Sequence, residues 1–591
     1  MGCFSILQYA QRHELYEEVD LAEIADECRK KTGQTPVVVV DGRQCVWLLY
    51  RGCDFYCGGQ YKEFREACTN LVRRFRNCGV HLVFYFYGLP SVDKKEKWVR
   101  LNRESAEQMS KSLRTAHEQG STRVRPKRHP EGLVPCAHVI FREEPNSEVR
   151  LSTGICHQEI AQYAASNTNC LGVMSGNADF LVYSGVPSLL ILHGESKAEE
   201  GVSLRRFRPA VIASHLGIRL QHLPAFGTFA GDSFIKSDEL QRVHGRLQDF
   251  YNCRGNPMAA VAKLVKDNAV DEMCRIAFGD RWAEFLETVE VGIGQYGCKP
   301  TVSDSPTEGS DWSQVLHFIE SKHVSGEIPG MVLSLAKSRI FRAGAALEDM
   351  ADGAQNGLST AEMLQPMRRR MYTVLLWESG EGPFRVEEFF TRRSDVCQEE
   401  VEVSKWLPPG VTHPGLRRLW TADVESRWRL FTWIVGAPDG DGSALRSLQP
   451  QYLAVPAAAL SFLRHEACCL ERHEAEVLAV VAVTVGRLSV QQLAQKQLPS
   501  LDTRAVYLAS LFVRTALQVL DAAAICGLSF PRDSECLLDA YFDGIFFHEL
   551  YLKAKAQSFA RIGAHLPRDR PHLGPLHHLL DVIEGTHTSR Q

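Results

Sequence analysis

The hydrophobic pattern of the chain centres on one short run, residues 36–42, in which four consecutive valines precede Asp41 and Gly42. An unbroken β-branched run predicts a strand that is buried on both faces, as in the middle of a parallel sheet. In open α/β sheets, functional groups lie just beyond the carboxyl ends of the strands. The pattern therefore places Asp41 where chemistry is expected.

The rest of the pattern predicts two kinds of architecture. Helices alternate with short apolar strands as far as about residue 235, which predicts an α/β parallel sheet with right-handed crossovers. A mostly α-helical C-terminal domain follows. The predicted strands are residues 37–41, 81–86, 170–174 and 187–192, and the predicted helices of this part include 61–78 and 93–118. The predicted divisions are an α/β domain at 1–235, a helical extension at 236–300, a helical domain at 312–560 and a loosely ordered tail at 561–591.

Composition narrows the class of protein only slightly. The 591 residues are 45% hydrophobic and 23% charged, with a net charge of −4, so nucleic-acid binding requires a local basic patch. The 18 cysteines are scattered, which favours free thiols inside the cell over a zinc site. The N-terminus has Ile6 where a myristoylation signal wants Ser or Thr. The longest apolar runs are too short or too polar to span a bilayer, so we expect no membrane association.

Four acids follow predicted strands or begin helices, in an order that resembles the PIN-like fold of flap endonucleases. In that family, carboxylates at such places hold two divalent metals that activate water. The resemblance implies a parallel-sheet, flap-endonuclease-like domain. It makes four acids the vestigial metal-ligand candidates: Asp41, Glu159, Asp179 and Asp232.

The chain departs from the nuclease pattern at several of these places. Tyr87 stands where the family has an aspartate after the second strand, His157 falls within the acidic helix motif, and Asn177 replaces the first acid of a DxD loop. Two magnesium ions need more oxygen ligands than remain. We therefore expect a pseudo-nuclease without a cofactor, in which Asp41 accepts backbone N–H groups and Tyr87 is a buried aromatic.

Four segments are similar to the constitutive coactivator of peroxisome proliferator-activated receptor gamma family: residues 57–64, 93–100, 169–183 and 541–547. This resemblance implies a nuclear coactivator or scaffold, with cytoplasmic presence left open, that binds protein partners, a nuclear receptor and RNA or other single-stranded nucleic acid. The alternative is an asteroid-type nuclease, a metal-dependent endonuclease acting on single-stranded or flap DNA, and only then is Mg²⁺ expected.

A basic stretch at 91–130 carries eleven Lys or Arg against five Asp or Glu, which gives a local charge of +6. In flap endonucleases the corresponding region arches over the substrate strand, and such a patch would bind phosphates without sequence preference. A solvated helix face is the alternative. The nucleic-acid-binding candidates are Lys94, Lys95, Arg100, Arg123, Arg125, Lys127 and Arg128.

An LxxLL pattern at 576–580 predicts a short helix with three leucines on one face. Such a face can dock into a hydrophobic groove of a nuclear receptor. The pattern also arises by chance in leucine-rich chains of this length. Leu576, Leu579 and Leu580 are accordingly the candidate receptor contacts.

Overall fold

A computed structural model describes most of the chain, and the structural statements below refer to these residues. They are 4–51, 53–88, 95–119, 129–193, 201–231, 233–298, 311–351, 357–380, 383–393, 395–437, 442–496, 498, 500–528, 537–559 and 573–585. Two compact units are present. One comprises Met1–Cys45, Thr69–Tyr87 and Glu144–Ser305, and the other comprises Val46–Cys68, Gly88–Glu143 and Pro306–Gln591. The predicted domain boundaries stay a prediction.

The described residues contain ten β-strands in two sheets. They are β1 (Glu17–Asp20), β2 (Val37–Asp41), β3 (His81–Phe86), β4 (Ser147–Leu151), β5 (Cys170–Met174), β6 (Leu189–Leu192), β7 (Ser203–Phe207), β8 (Ile340–Arg342), β9 (Phe384–Arg392) and β10 (Asp395–Val403). The first unit holds a seven-stranded sheet with the order β1-β7-β6-β5-β2-β3-β4, and the second holds a three-stranded sheet with the order β10-β9-β8.

Helices make up most of the remaining described structure. In the first half of the chain they are α1 (Phe4–Arg12), α2 (Leu21–Thr32), α3 (Gly42–Leu49), α4 (Tyr61–Asn77), α5 (Lys95–Gln119), α6 (Leu133–Glu143), α7 (Cys156–Ser166), α8 (Pro209–Leu216), α9 (Leu223–Ala230), α10 (Ser237–Phe250), α11 (Pro257–Asp267), α12 (Val270–Phe278) and α13 (Trp282–Tyr296). In the second half they are α14 (Asp311–Val324), α15 (Gly330–Ser338), α16 (Thr360–Leu375), α17 (Leu416–Leu419), α18 (Val424–Val435), α19 (Ser443–Ser447), α20 (Ala454–Ser461), α21 (Arg472–Val485), α22 (Val490–Ala494), α23 (Thr503–Ile525), α24 (Leu538–Tyr541), α25 (Gly544–Ala556) and α26 (Leu573–Ile583).

The valine strand β2 lies inside the seven-stranded sheet, as predicted. It pairs in parallel with β3 on one side and with β5 on the other, and all five of its residues are buried. The pairings among β2, β3, β4, β5 and β6 are all parallel, whereas β7 pairs antiparallel with both β1 and β6. The predicted α/β class is confirmed, and the two antiparallel pairings at the β1 edge are an addition.

The second unit is mostly helical, which confirms the prediction for the C-terminal region. It also contains a hairpin that was not predicted, because β9 and β10 carry many charged residues on their exposed faces. The burial of β9 alternates at its start, with Phe384, Val386 and Glu388 buried and Arg385 exposed. That period of two is the mark of a half-buried strand.

Helix α23 is the only described helix long and apolar enough to cross a membrane by length and composition. In the structure, 83% of its apolar window is buried inside the protein. Arg514, Gln518 and Asp521 interrupt its sequence. It therefore packs as a core helix of the second unit.

The expectation of a loosely ordered tail after residue 560 is wrong for 573–585. Helix α26 forms there, and it packs against α20 and α21 within the second unit. Its buried side chains are Leu576, Leu579, Val582 and Ile583, which recur at intervals of three, three and one. This apolar stripe is what a helix needs to dock onto its own protein.

Two of the segments that carry the family resemblance meet in the second unit. The Gly544 N–H, at the start of α25, donates to the Gly59 carbonyl oxygen at 2.8 Å. A Cβ atom added to Gly544 would lie 1.9 Å from the carbonyl oxygen of Cys57. Only glycine fits at this position. We call this contact between residues 57–59 and 542–544 the glycine junction.

Candidate functional site

The candidate site lies at the carboxyl ends of three neighbouring strands in the first unit. Asp41 ends β2, Ser175 directly follows β5, and Tyr87 directly follows β3. Because these strands are parallel and in register, their ends meet at one edge of the sheet. Gly42 permits the close approach of Phe86, since an added Cβ would lie 2.5 Å from its ring.

The Asp41 carboxylate is 1% exposed and already has hydrogen-bond donors from its own unit. The Ser175 hydroxyl donates to Oδ2 at 2.9 Å, and the Gln44 backbone N–H donates to Oδ1 at 3.3 Å. Buried carboxylates need such donors, because an unsatisfied charge in the interior is costly. Asp41 thus has the turn-capping contacts that its position after a strand suggested.

His157, the second residue of α7, faces this carboxylate. Its Nε2 atom lies 3.6 Å from Asp41 Oδ2 and 2.5 Å from the Tyr87 hydroxyl oxygen. The two rings meet edge-on, with centroids 5.4 Å apart. His157 therefore stands between the acid and the phenol.

Tyr87 was expected to be a buried aromatic, and this is wrong for the side chain as a whole, which is 44% exposed. Its ring reaches the surface because the chain leaves the sheet there, and the Arg43 guanidinium lies 5.7 Å from the ring centroid. Only the hydroxyl end points inward, to His157. Burial of that end, together with the charge of Asp41, raises the pKa of Tyr87.

The loop after β5 brings Asn177 and Asp179 to the same edge. The Asn177 amide nitrogen lies 3.1 Å from His157 Nδ1, while its Oδ1 accepts the Asp179 backbone N–H at 3.1 Å. The Ser175 hydroxyl oxygen also accepts the Asn177 N–H at 3.0 Å. Asp179 is 8% exposed, and its charge contributes to the raised pKa of Tyr87. We call Asp41, His157, Ser175, Asn177 and Tyr87 the Asp41 cluster.

Glu159 lies near the cluster but serves a local turn. Its Oε1 accepts the backbone N–H groups of Thr153 at 3.0 Å and Gly154 at 2.7 Å. Burial raises its pKa, and the two hydrogen bonds oppose that effect. The carboxylate thereby closes the loop that precedes α7.

These donors do not match the needs of two magnesium ions. Magnesium requires near-octahedral oxygen ligands at about 2.0–2.1 Å. Among the described residues, no group of three or more His, Cys, Asp and Glu side chains is arranged to hold a metal ion. The fourth acid candidate, Asp232, lies outside the described residues. The expectation that these four acids are vestigial and hold no metal stays a prediction.

Of the predicted nucleic-acid-binding residues, the structure describes the side chain of Arg100. Lys94, Arg123, Arg125, Lys127 and Arg128 lie outside the described residues, as does the side chain of Lys95. Arg100 is exposed on α5 and lies 3.9 Å from Glu104, one turn further along. Such an exposed pair is worth little in stability, so the guanidinium stays accessible.

The LxxLL motif is helical, as predicted, but its leucines do not share one exposed face. Leu579 is fully buried and Leu576 is 4% exposed, whereas Leu580 is half-buried. In this conformation, α26 covers the apolar surface that a receptor groove would need. Receptor docking through the motif stays a prediction, and it requires α26 to leave its place.

Sequence reasoning missed the two groups that hold Asp41, namely Ser175 and the Gln44 N–H. A signal for Ser175 was present, because it follows a strand that was itself predicted to lie in the sheet. In parallel neighbours, the first residue after each strand reaches the same edge. The Gln44 contact depends on how the first turn of α3 begins.

The fold and the cluster define a class: an α/β protein that keeps an acid at the sheet edge and surrounds it with its own polar groups. The predicted family resemblance is confirmed, because the chain is similar to proteins named constitutive coactivator of peroxisome proliferator-activated receptor gamma. The relative from Bos taurus is 23% identical over 667 residues, covering 96% of this chain and 92% of the relative. The one from Mus musculus is 29% identical over 259 residues, covering 42% and 32%.

Solved structures of nucleases are similar to this chain at lower sequence identity. The catalytic core of Rad2 with a DNA substrate is 10% identical, covering 55% of this chain and 95% of that one, with a TM-score of 0.29. Human GEN1 with Holliday junction DNA is 12% identical, covering 66% and 84%, with a TM-score of 0.30. Flap endonuclease-1 from Methanococcus jannaschii is 13% identical, covering 47% and 96%, with a TM-score of 0.26. No family model matches the chain.

Proposed function

We propose that this chain is a non-catalytic coactivator or scaffold with a degenerate nuclease-like domain, acting in the nucleus through protein partners. A nuclear receptor is the favoured partner, and RNA or other single-stranded nucleic acid is a second ligand. The supporting observation is the Asp41 cluster. The one acid that matches the first nuclease aspartate is already hydrogen-bonded by Ser175 and Gln44 and faced by His157.

The cluster supports this proposal through charge. Two divalent ions bring four positive charges, and a site that balances them places several carboxylates around a common point. Here a phenol, an imidazole and an amide occupy the positions beside Asp41, and Glu159 is bonded to a backbone turn. Side chains that carry no negative charge in these positions remove the electrostatic stabilisation on which two-metal hydrolysis depends.

The names of the relatives support the coactivator part. A relative that aligns over 96% of this chain is named a constitutive coactivator of a nuclear receptor. That alignment runs through both compact units, so the proposal concerns the whole chain. A coactivator acts by binding its partners, so this role does not require nuclease activity.

The first experiment is a cleavage assay on flap and single-stranded DNA with magnesium or manganese. The control is the full chain with Asp41→Asn and Asp179→Asn, which preserves the shapes of both side chains. We expect equal background in the two proteins. Metal-dependent cleavage that the double variant loses would overturn the proposal and favour the asteroid-type nuclease.

The nucleic-acid part rests on the basic stretch at 91–130. Affinity for single-stranded RNA should fall steeply as salt is raised, because each phosphate contact releases bound counterions. Charge reversal at Arg123, Arg125, Lys127 and Arg128 should weaken binding further. A matched reversal of four basic residues outside the stretch, Arg417, Arg418, Arg472 and Lys553, should leave the affinity unchanged. Indifference to both salt and the first reversal would contradict this part.

The receptor part is tested by binding of the full chain to purified peroxisome proliferator-activated receptor gamma. If the LxxLL helix is the contact, Leu580→Ala should weaken binding by about tenfold, since that leucine contributes little to the core of its own unit. A synthetic peptide of residues 573–585 should compete. Receptor binding without either effect would place the contact elsewhere on the chain.

A further inference from the structure

A cavity of about 200 Å³ lies inside the second unit, between α16, α23 and the end of β8. A site for one water molecule needs only about 10–15 Å³, so this space can hold a small organic molecule. The wall residues of α23 are Arg514, Leu517, Gln518 and Asp521, spaced as one face of a helix. The packing of α16, α23 and the end of β8 therefore leaves this space.

Several charged groups on the wall are already paired. Arg368 donates to both oxygens of Glu388, at 2.9 and 2.6 Å, and Arg514 donates to Glu348 at 2.5 Å. Asp349 accepts the N–H and the hydroxyl of Thr360, at 2.8 and 2.9 Å. These groups are satisfied by the protein and need no ligand.

Two other wall groups are buried without a hydrogen-bond partner among the described residues. They are the Thr391 hydroxyl, on a residue that is 1% exposed, and the Nε atom of Arg342. Arg342 is opposite Phe389 in the β8–β9 pairing, and Thr391 lies two residues further along β9. Residues that are paired, or two apart, project from the same face of a sheet, so both groups belong to one side. Native proteins rarely leave such buried groups unsatisfied.

Asp521 lies on the helical wall of the same cavity. Burial raises the pKa of its carboxyl to about 7. Within the described part of the chain, Asp521 and Arg342 line one space without forming an ion pair within 4 Å. The Arg342 guanidinium instead lies 5.7 Å from the centroid of the Trp98 ring. A cation and an acid thus border the cavity without contacting each other.

We propose that this cavity binds a small zwitterion of amino-acid size, whose carboxylate contacts Arg342 and Thr391 and whose ammonium group contacts Asp521. A ligand with both charges supplies hydrogen-bond partners to three wall groups for which the described residues supply none. A simple anion would leave Asp521 unpaired, and a simple cation would leave Arg342 and Thr391 unpaired. The site is independent of the proposed coactivator function, because none of its residues belongs to the Asp41 cluster, the basic stretch or α26.

The test uses the full chain and the standard free L-amino acids as probes, read by thermal shift and isothermal titration. We expect at least one amino acid to raise Tm saturably. The decarboxylated amine and the deaminated acid that correspond to the best probe should bind at least about tenfold more weakly, because each leaves one end of the site unpaired. Equal binding of either counterpart would overturn the proposal, as would the absence of saturable binding to the folded protein.

Two near-isosteric variants separate ligand contact from folding. Thr391→Val removes an unpaired buried hydroxyl, so the unliganded protein should be as stable as the wild type or more stable, while affinity falls about tenfold. Asp521→Asn should likewise retain the fold and lose affinity. Thr421→Val and Asp395→Asn change exposed residues of the same unit and should bind as the wild type does. If both cavity variants also bind as the wild type does, the assignment is overturned.

Discussion

The Asp41 cluster and the glycine junction both contain segments that carry the family resemblance, yet different physical effects hold them. In the cluster, polar groups donate and accept in sequence around one carboxylate. At the junction, two stretches of backbone approach so closely that the Cβ atom of an alanine would collide with a carbonyl group. A segment that resembles the family can therefore maintain a close backbone contact as readily as a cluster of polar groups. The comparison predicts sharp steric intolerance at one place and graded electrostatic losses at the other.

The largest effect is expected for Gly544→Ala. The new methyl group would lie 1.9 Å from the Cys57 carbonyl oxygen, so the backbone must move and the Gly59 hydrogen bond is lost. We expect the free energy of unfolding to fall by about 3 kcal/mol or more. Chemical denaturation of the full chain measures it.

Gly574→Ala is the matched control in the same unit. An added Cβ there meets nothing within 4 Å, and alanine is the better helix former. Its stability should be unchanged or slightly higher. Equal losses in the two variants would show that the junction is not sterically closed.

The second effect concerns Asp543, which lies in the glycine junction and caps α25 by accepting the Phe546 N–H at 2.9 Å. Burial raises its pKa to about 6. The folded state therefore holds this proton more tightly than the unfolded state, whose carboxyl has a pKa of about 3.9. Its contribution to stability is full below about pH 4 and is lost as pH rises through 6.

Asp543→Asn keeps the cap and removes the titration. Compared with the wild type, the variant should gain up to roughly 3 kcal/mol of unfolding free energy between pH 4 and pH 7. Denaturation midpoints at both pH values measure the difference. Parallel pH profiles for the two proteins would contradict the assignment.

Within the Asp41 cluster, Ser175→Ala should cost about 2 kcal/mol. The hydroxyl donates to a buried carboxylate and accepts the Asn177 N–H, so its removal leaves both groups short of a partner. Ser214→Ala, at an exposed site in the same unit, should change stability by less than about 0.5 kcal/mol. A Ser175→Ala variant as stable as that control would mean that the cluster is held by something else.

Tyr87→Phe should have the smallest effect, below about 1 kcal/mol. It removes one hydrogen bond to His157, at a side chain that is 44% exposed. The His157 ring should become more mobile, which NMR of its imidazole resonances would detect. A loss as large as that of Ser175→Ala would show that Tyr87 helps to hold Asp41.

The centre of the fold was predictable because its signal is local. Four valines in a row favour a strand that is buried on both faces, and the strand they form lies inside the sheet. The β9–β10 hairpin was missed, since its charged residues are as numerous as its apolar ones and the alternation had to be read residue by residue. Of helix α26, only a short segment at 576–580 was predicted, because the His- and Pro-rich surroundings concealed an apolar stripe of four residues that runs to Ile583.

The candidate site was predictable only in part. The position of Asp41 after a buried strand follows from the sequence alone. The partners of its carboxylate do not, because they come from the loop after β5 and the first turn of α3. The exposure of Tyr87 depends on where the chain turns away from the sheet. The aromatic side chain of Tyr87 suggested burial, but the path of the chain in the folded protein decides its exposure.

The two halves of the glycine junction are far apart in the sequence, so it can form only after most of the chain has been synthesised. At about 5–20 residues per second, a ribosome takes roughly 25–100 s to pass from Gly59 to Gly544. During that interval the Gly59 carbonyl lacks its Gly544 donor, and the surface on which α25 will pack stays uncovered. Messages that stop short of residue 544 would leave this early segment permanently unmatched, and their products should be recognised by chaperones and degraded.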